Sequence, residues 1–125
     1  MEDFINDYEA ACAKLGRSTE LPDVSMHTEI VGRREIAAHK LDVITEANNG
    51  EWKADMADTS QAKWHPWFWV HKDESKPAGF RLAFYDAVFV SDIAFLGARH
   101  ACKSKPLAIF LGQNCTELYE DLKAA

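Results

Sequence analysis

Three of the four tryptophans in this sequence fall within six consecutive residues, at Trp64, Trp67 and Trp69. Indole rings stack on flat ligands, and they anchor protein interfaces because each one buries a large apolar area. In a strand, Trp67, Trp69 and His71 point to the same face. If helices cover only the other face, Trp64, Trp67, Trp69 and His71 form an aromatic patch for a partner. If a loop covers this face, the same rings belong to the core.

Positive charge gathers just before the last predicted helix, at Arg99, His100, Lys103 and Lys105. The free N–H groups at a helix start favour an anion, so a phosphate is a candidate ligand there. We expect Lys76 and Arg81, on a predicted hairpin, to extend this positive surface. With the tryptophans it would bind single-stranded nucleic acid by stacking and charge. The alternative is an ordinary solvated stretch of basic residues.

The net charge of −6 opposes attraction of the whole surface to nucleic acid. Residues 1–60 carry thirteen acidic against six basic side chains, a net charge of −7. Residues 61–125 carry seven against eight, a net charge of +1. Any nucleic-acid contact would therefore be a local patch in the second half.

Four polar residues share one face of the longest predicted helix: Glu35, His39, Asp42 and Glu46. One helix supplies too few converging ligands for a metal ion, and a polar stripe opposite an apolar one is typical of a surface helix. We therefore expect no metal and no cofactor.

No nucleophile motif, phosphate-binding loop or metalloprotease motif is present in the sequence. The three cysteines, Cys12, Cys102 and Cys115, lack the spacing of a disulfide framework or a zinc site, and we expect them to be reduced and buried. The basic neighbours of Cys102 would lower the pKa of an exposed thiol, but a buried strand cysteine is the favoured interpretation. An enzyme is not predicted.

The elements that position these residues follow from hydrophobic spacing. Helices are predicted over residues 2–15, ended by Gly16, over about 27–48, capped by Ser25, and over about 105–123, capped by Ser104. Residues 51–66 have no sustained period and indicate a loop. Strands are predicted at 67–71 and 80–85, joined by a polar turn, with further strands at 87–96 and 99–103.

This order predicts a single α+β domain over residues 1–125, with a small antiparallel sheet of three to four strands and about three helices on one face. The N-terminus lacks the basic start and apolar run of a signal peptide, and no stretch is long enough to span a bilayer. We therefore expect a cytoplasmic protein.

Several segments carry a resemblance to a known family. They are Leu21-Pro22-Asp23-Val24-Ser25, Ala38-His39-Lys40-Leu41-Asp42-Val43-Ile44, Lys63-Trp64-His65-Pro66-Trp67-Phe68, and Gly97-Ala98-Arg99 followed by Lys103-Ser104 and Leu107-Ala108. Together they resemble a family of small phage and prophage proteins of Bacteroidetes-type gut bacteria, over nearly the whole chain. The sequence departs from that pattern at Ala54-Asp55-Met56, where relatives read Pro-Asp-Trp, and at Cys102, where they carry Phe.

The family has no assigned activity, so the resemblance implies a phage-related origin and no site. We expect a non-enzymatic accessory protein in the host bacterial cytoplasm that binds another protein, either a host metabolic or defence factor or a virion component. The alternative is a single-stranded nucleic-acid-binding protein that uses Trp67, Trp69, Arg99, Lys103 and Lys105. The patterns leave open whether the chain forms a homo-oligomer.

Overall fold

A computed structural model describes residues 3–92 and 98–124 of the chain. Within that part, four α-helices, a two-strand antiparallel sheet and one short 3₁₀ turn follow in the order α1 Tyr8–Leu15, α2 Glu29–Asn49, β1 Lys63–Lys72, β2 Phe80–Val90, the 3₁₀ turn Ala98–His100, α3 Lys105–Asn114 and α4 Thr116–Lys123. The predicted α+β class is confirmed. The predicted three to four strands are not.

Helix ends follow local capping chemistry. The Asp7 side chain accepts a hydrogen bond from a first-turn N–H, so α1 begins later than the predicted residue 2. Gly16 ends α1 at φ 67°, in the left-handed conformation predicted for it. Thr28, rather than Ser25, caps α2, and its side chain accepts from the Val31 N–H at 3.3 Å.

The hairpin of β1 and β2 pairs Lys63 with Val90 at one end and Lys72 with Phe80 at the other. It is longer than predicted, since residues 63–66 join β1 and residues 87–90 extend β2. Opposite Trp67 and Phe68, β2 carries one extra residue, Tyr85, which makes a β-bulge.

The two further predicted strands are not observed as such. Residues 87–90 belong to β2, and the rest of the predicted strand at 87–96 includes residues 93–96, which lie outside the described residues. In place of a strand at 99–103, the chain makes the 3₁₀ turn and a single antiparallel bridge between Cys102 and Trp64.

The last predicted helix is divided at Cys115, whose φ of −123° is not helical. The side chains of Asn114 and Thr116 donate to carbonyl groups four residues earlier and so compete with the helical ladder. Apolar spacing does not reveal this break, because Leu111, Cys115 and Leu118 continue one stripe across it.

The core lies between the hairpin and the helices. α3 and α4 pack against the hairpin, α2 packs against α4, and α1 packs against α2. The largest fully buried side chains are Tyr119, Leu41, Ile44, Leu107 and Leu111. Among the described helices, none combines the length and the apolar character needed to cross a membrane.

Glycine permits the close approach of α3 to the hairpin. A Cβ built on Gly112 would lie 2.5 Å from the Phe84 ring and 2.7 Å from Pro66. Beside this contact, the Phe68 ring packs on Phe84 at 6.3 Å and on Tyr119 at 5.2 Å between centroids. One face of the hairpin is thus fixed to α3 and α4.

Candidate functional site

The opposite face of the hairpin presents three large exposed rings. Trp67, Trp69 and Tyr85 are 48%, 59% and 55% exposed, and we call these three residues the aromatic face. The centroids of Trp69 and Tyr85 lie 4.9 Å apart, with the ring planes inclined at 58°. A tilted contact of this kind stabilises a ring pair by about 0.5–1.5 kcal/mol beyond the area that it buries.

Strand geometry explains this placement. Trp67 and Trp69 are alternate residues of β1, so both side chains leave the same face. Tyr85 is the extra residue of the bulge in β2 and stands two residues from Ala83, the cross-strand partner of Trp69, so its ring lies against that of Trp69. Tyr85 was not predicted as a site residue, because its contact with Trp69 depends on the register of the two strands.

Only part of the predicted aromatic patch assembles. His71 is exposed and follows Trp69 on the same face. Trp64 is half-buried and packs on Phe89 at 5.0 Å, while its backbone exchanges hydrogen bonds of 3.0 and 2.9 Å with Cys102. Trp64 therefore anchors the strand rather than joining Trp67 and Trp69.

Arg81 lies on the hairpin, as predicted, directly across from His71. Cross-strand partners share a face of the sheet, so Arg81 lies at the end of the aromatic face. Its Nε lies 3.9 Å from a carboxylate oxygen of Asp73 in the turn.

The predicted basic segment is held against α2. Arg99 Nη1 lies 3.2 Å from Asp42 Oδ2, and His100 Nε2 lies 2.8 Å from Asp42 Oδ1. The backbone N–H of Lys103 donates to Asn49 Oδ1 at 2.9 Å. Asp42 thus lies beside both Arg99 and His100, although the Arg99 side chain stays 84% exposed.

The start of α3 is capped from within the chain. The Ser104 hydroxyl accepts from the Leu107 N–H at 3.3 Å, and Lys105 is exposed beside it. Because Cys102 bridges to Trp64, this segment lies about 10 Å along β1 from Trp67, at about 3.3 Å per residue. Among the predicted cations, the structure brings Arg81 to the end of the aromatic face.

A cleft of about 480 Å³ lies on the α2 side of the molecule. Its walls come from four segments and consist of Arg17, His39, Asp42, Val43, Glu46, Asn49, Trp52, Lys53, Ala54 and Arg99. Three members of the polar stripe on α2 therefore line it. The stripe was predictable from helical spacing, but the cleft was not, since Arg17, Trp52 and Arg99 are distant in the chain.

Most of the charge in the cleft is internally compensated. Arg17 pairs with Glu46, and Asp42 pairs with Arg99 and His100. The His39 Nε2 lies 3.0 Å from the Tyr8 hydroxyl. Within residues 3–92 and 98–124, no three His, Cys, Asp or Glu side chains are placed to hold a metal ion. These contacts tie α1 and the 3₁₀ turn to α2.

All three cysteines are free and buried. Burial raises the pKa of Cys102 to about 12, with a further contribution from Cys115, and burial raises the pKa of Cys115 to about 11. Positive neighbours therefore do not activate the Cys102 thiol, in agreement with the favoured interpretation of a buried cysteine.

No family model matches the chain, and neither a curated protein nor a solved structure is significantly similar to it. A functional proposal therefore rests on the geometry of the molecule itself.

Proposed function

We propose that this chain is a non-enzymatic accessory protein that binds another protein through the aromatic face. The observation that carries the proposal is the exposure of Trp67, Trp69 and Tyr85 together on one face of the hairpin. Large rings are normally withdrawn from water, and a cluster that stays in solvent is typical of an interaction site.

The large contribution of tryptophan and tyrosine to binding free energy at interfaces favours these rings as anchors. Tryptophan and tyrosine are enriched among interface residues whose truncation costs about 2 kcal/mol or more. Trp69 and Tyr85 already contact each other before binding, and such a contact favours one arrangement of the two rings. Less side-chain entropy is therefore lost when a partner covers them.

The hairpin is also held in place from behind. Phe68 and Phe84 pack toward Tyr119 and Gly112, on the face opposite the exposed rings. A partner would meet a preorganised surface, which lowers the cost of association.

Charge indicates the chemistry of the partner. Asp86 is exposed and pairs with Trp67 across the strands, while Arg81 lies at the other end of the aromatic face. A complementary surface would have an apolar pocket with a basic group opposite Asp86 and an acidic group opposite Arg81. A host factor and a virion component are both compatible with this description.

Photo-crosslinking tests the proposal. A photoreactive benzoylphenylalanine at Tyr85 captures partners in bacterial cells, and the same group at the exposed Met26 is the control. The captured protein is then purified and its affinity measured. We expect Trp67→Ala combined with Trp69→Ala to weaken binding by about a hundredfold or more, since two anchors are lost. Met26→Ala should leave the affinity within about twofold.

Equal affinity of the captured protein for the wild type and the double tryptophan variant would reject the anchor role. Thermal melts of each variant accompany the comparison. Both indoles are partly exposed, so the double variant is expected to fold.

Single-stranded nucleic acid is the second candidate, favoured by the position of Arg81 at the end of the aromatic face. Stacking on Trp67 and Trp69 would quench their fluorescence, and contact with phosphates would weaken as salt rises. Titration with oligonucleotides at low and high salt separates the two functions. Absence of quenching at low salt would exclude nucleic acid.

A further inference from the structure

The outer edge of β1 is defined by two independent hydrogen-bonding observations. Trp64 exchanges both of its backbone hydrogen bonds with Cys102, away from β2. On the other strand, the Leu82 N–H donates to Glu120 Oε2 at 2.8 Å, away from β1. Leu82 pairs with Val70, so Val70 also directs its peptide groups away from β2. Both observations therefore indicate that even-numbered residues of β1 direct their peptide groups away from β2.

That alternation places the peptide groups of Phe68, Val70 and Lys72 on the outer edge. Within the described part of the chain, none of these groups receives a backbone partner outside the hairpin. The side chains of residues 69–72 are all exposed, and Val70 is 67% exposed. The distal half of β1 is therefore an open strand edge.

Several other outward positions of the sheet are covered. Trp64 is occupied by Cys102, and Pro66, at an outward-facing position, has no N–H to offer. On β2, the Glu120 carboxylate accepts from the Leu82 N–H and also lies 3.4 Å from the Lys76 ammonium. Natural sheets usually protect their edges, so three open outward positions in a row on the described part of β1 mark a candidate pairing site.

We propose that a second copy of this chain pairs with the distal half of β1 as an antiparallel strand, about a twofold axis at Val70. Val70 then faces Val70 of the second copy, Trp69 faces His71, and Phe68 faces Lys72. In this register no two like charges lie opposite each other, and the imidazole of His71 in each copy lies opposite the indole of Trp69 in the other. The edge is self-complementary, which favours a second copy over an unrelated strand.

Pairing at the edge would join two hairpins into a four-stranded sheet. An isolated two-stranded hairpin gains stability from added strands. Edge pairing leaves the faces of the sheet open, so the aromatic faces of both copies would lie side by side. The proposal is independent of the proposed partner protein, which binds a face rather than the edge.

Sedimentation velocity of the full chain, from about 1 µM to about 1 mM, measures the self-association. We expect a concentration-dependent dimer. Val70→Pro removes the outward N–H without touching the ladder to β2, and should weaken the dimer about tenfold or more. Val70→Thr keeps the N–H and should retain the dimer. Thermal melts show whether each variant folds.

Two lysine substitutions test the register. Val70→Lys places like charges opposite each other and should weaken the dimer about fivefold or more, whereas His71→Lys faces an indole and should not. A wild type that stays monomeric, or a Val70→Pro variant that folds and dimerises equally, would overturn the proposal. If the wild type is monomeric and Val70→Pro instead abolishes binding of the captured protein, the edge belongs to a foreign strand and the second copy is rejected.

Discussion

The thiols of Cys102 and Cys115 lie in the core, where burial raises their pKa to about 12 and about 11. Thiolate is the reactive form of cysteine, and it is scarce at neutral pH in both residues. We predict that neither thiol reacts measurably with a disulfide reagent in the native protein at pH 8. Both should react at once in denaturant. Rapid reaction of Cys102 or Cys115 with the reagent in the folded chain would contradict their burial.

We predict that the buried His65 lowers the free energy of unfolding of the protein in acid. Burial lowers the pKa of this imidazole from 6.5 to about 4, with smaller effects from His100 and Lys123. As the pH falls from 6.5 toward 4, the unfolded state binds the proton first, so the free energy of unfolding declines. It declines by about 2 kcal/mol and levels off below the folded pKa.

Denaturant unfolding of the wild type and His65→Leu at pH 7, 5 and 4 checks this prediction. The carboxylates titrate in both proteins, so the difference between them isolates the imidazole. As the pH falls, the unfolding free energy of the wild type should decrease more than that of His65→Leu. Parallel pH profiles would contradict the assignment to His65.

At the scale of elements, we predict that a Gly→Ala substitution in α3 lowers stability, although the same substitution in an exposed helix raises it. In an exposed helix, Gly→Ala stabilises by about 1 kcal/mol. At Gly112 a Cβ would lie 2.5 Å from the Phe84 ring, so Gly112→Ala should destabilise by about 2 kcal/mol. Gln113→Ala, at an exposed position of the same helix, is the matched control. Equal or greater stability of Gly112→Ala would show that α3 and the hairpin approach less closely.

The elements themselves were partly predictable. Gly16 ends α1 as its conformational freedom predicts, and the strand pattern located residues 67–71 and 80–85 of the hairpin but not its start at residue 63. The break at Cys115 was not predictable, because the apolar stripe continues through it; Asn114 and Thr116, on either side of it, donate side-chain hydrogen bonds to carbonyl groups of α3. A single bridge from Cys102 to Trp64 replaces a predicted strand, since pairing depends on the register of distant segments.

The candidate site was also only partly predictable from the sequence. Alternation along one strand predicted that Trp67, Trp69 and His71 share a face, and their exposure agrees with the hypothesis of an uncovered face. It could not show that Tyr85 of the other strand contacts Trp69, nor that Trp64 packs on Phe89. Contacts within a strand are readable from sequence, whereas contacts across strands require the register.

For the whole molecule, the cleft beside α2 and the aromatic face differ in character. Asp42 and Glu46 pair with Arg99 and Arg17 around the cleft. The aromatic face consists of uncharged rings with the pair of Arg81 and Asp73 at its end, and on the opposite face Phe68 packs against Tyr119 of α4. This difference is why the proposed interaction surface is the hairpin rather than the cleft.

The indole N–H signals in an NMR spectrum test that claim most directly. The protein has four tryptophans, and each gives one such signal, with Trp52 in the cleft as an internal control. On addition of the captured protein, the signals of Trp67 and Trp69 should shift or broaden while that of Trp52 stays in place. A spectrum in which Trp52 responds and the two hairpin indoles do not would contradict the account.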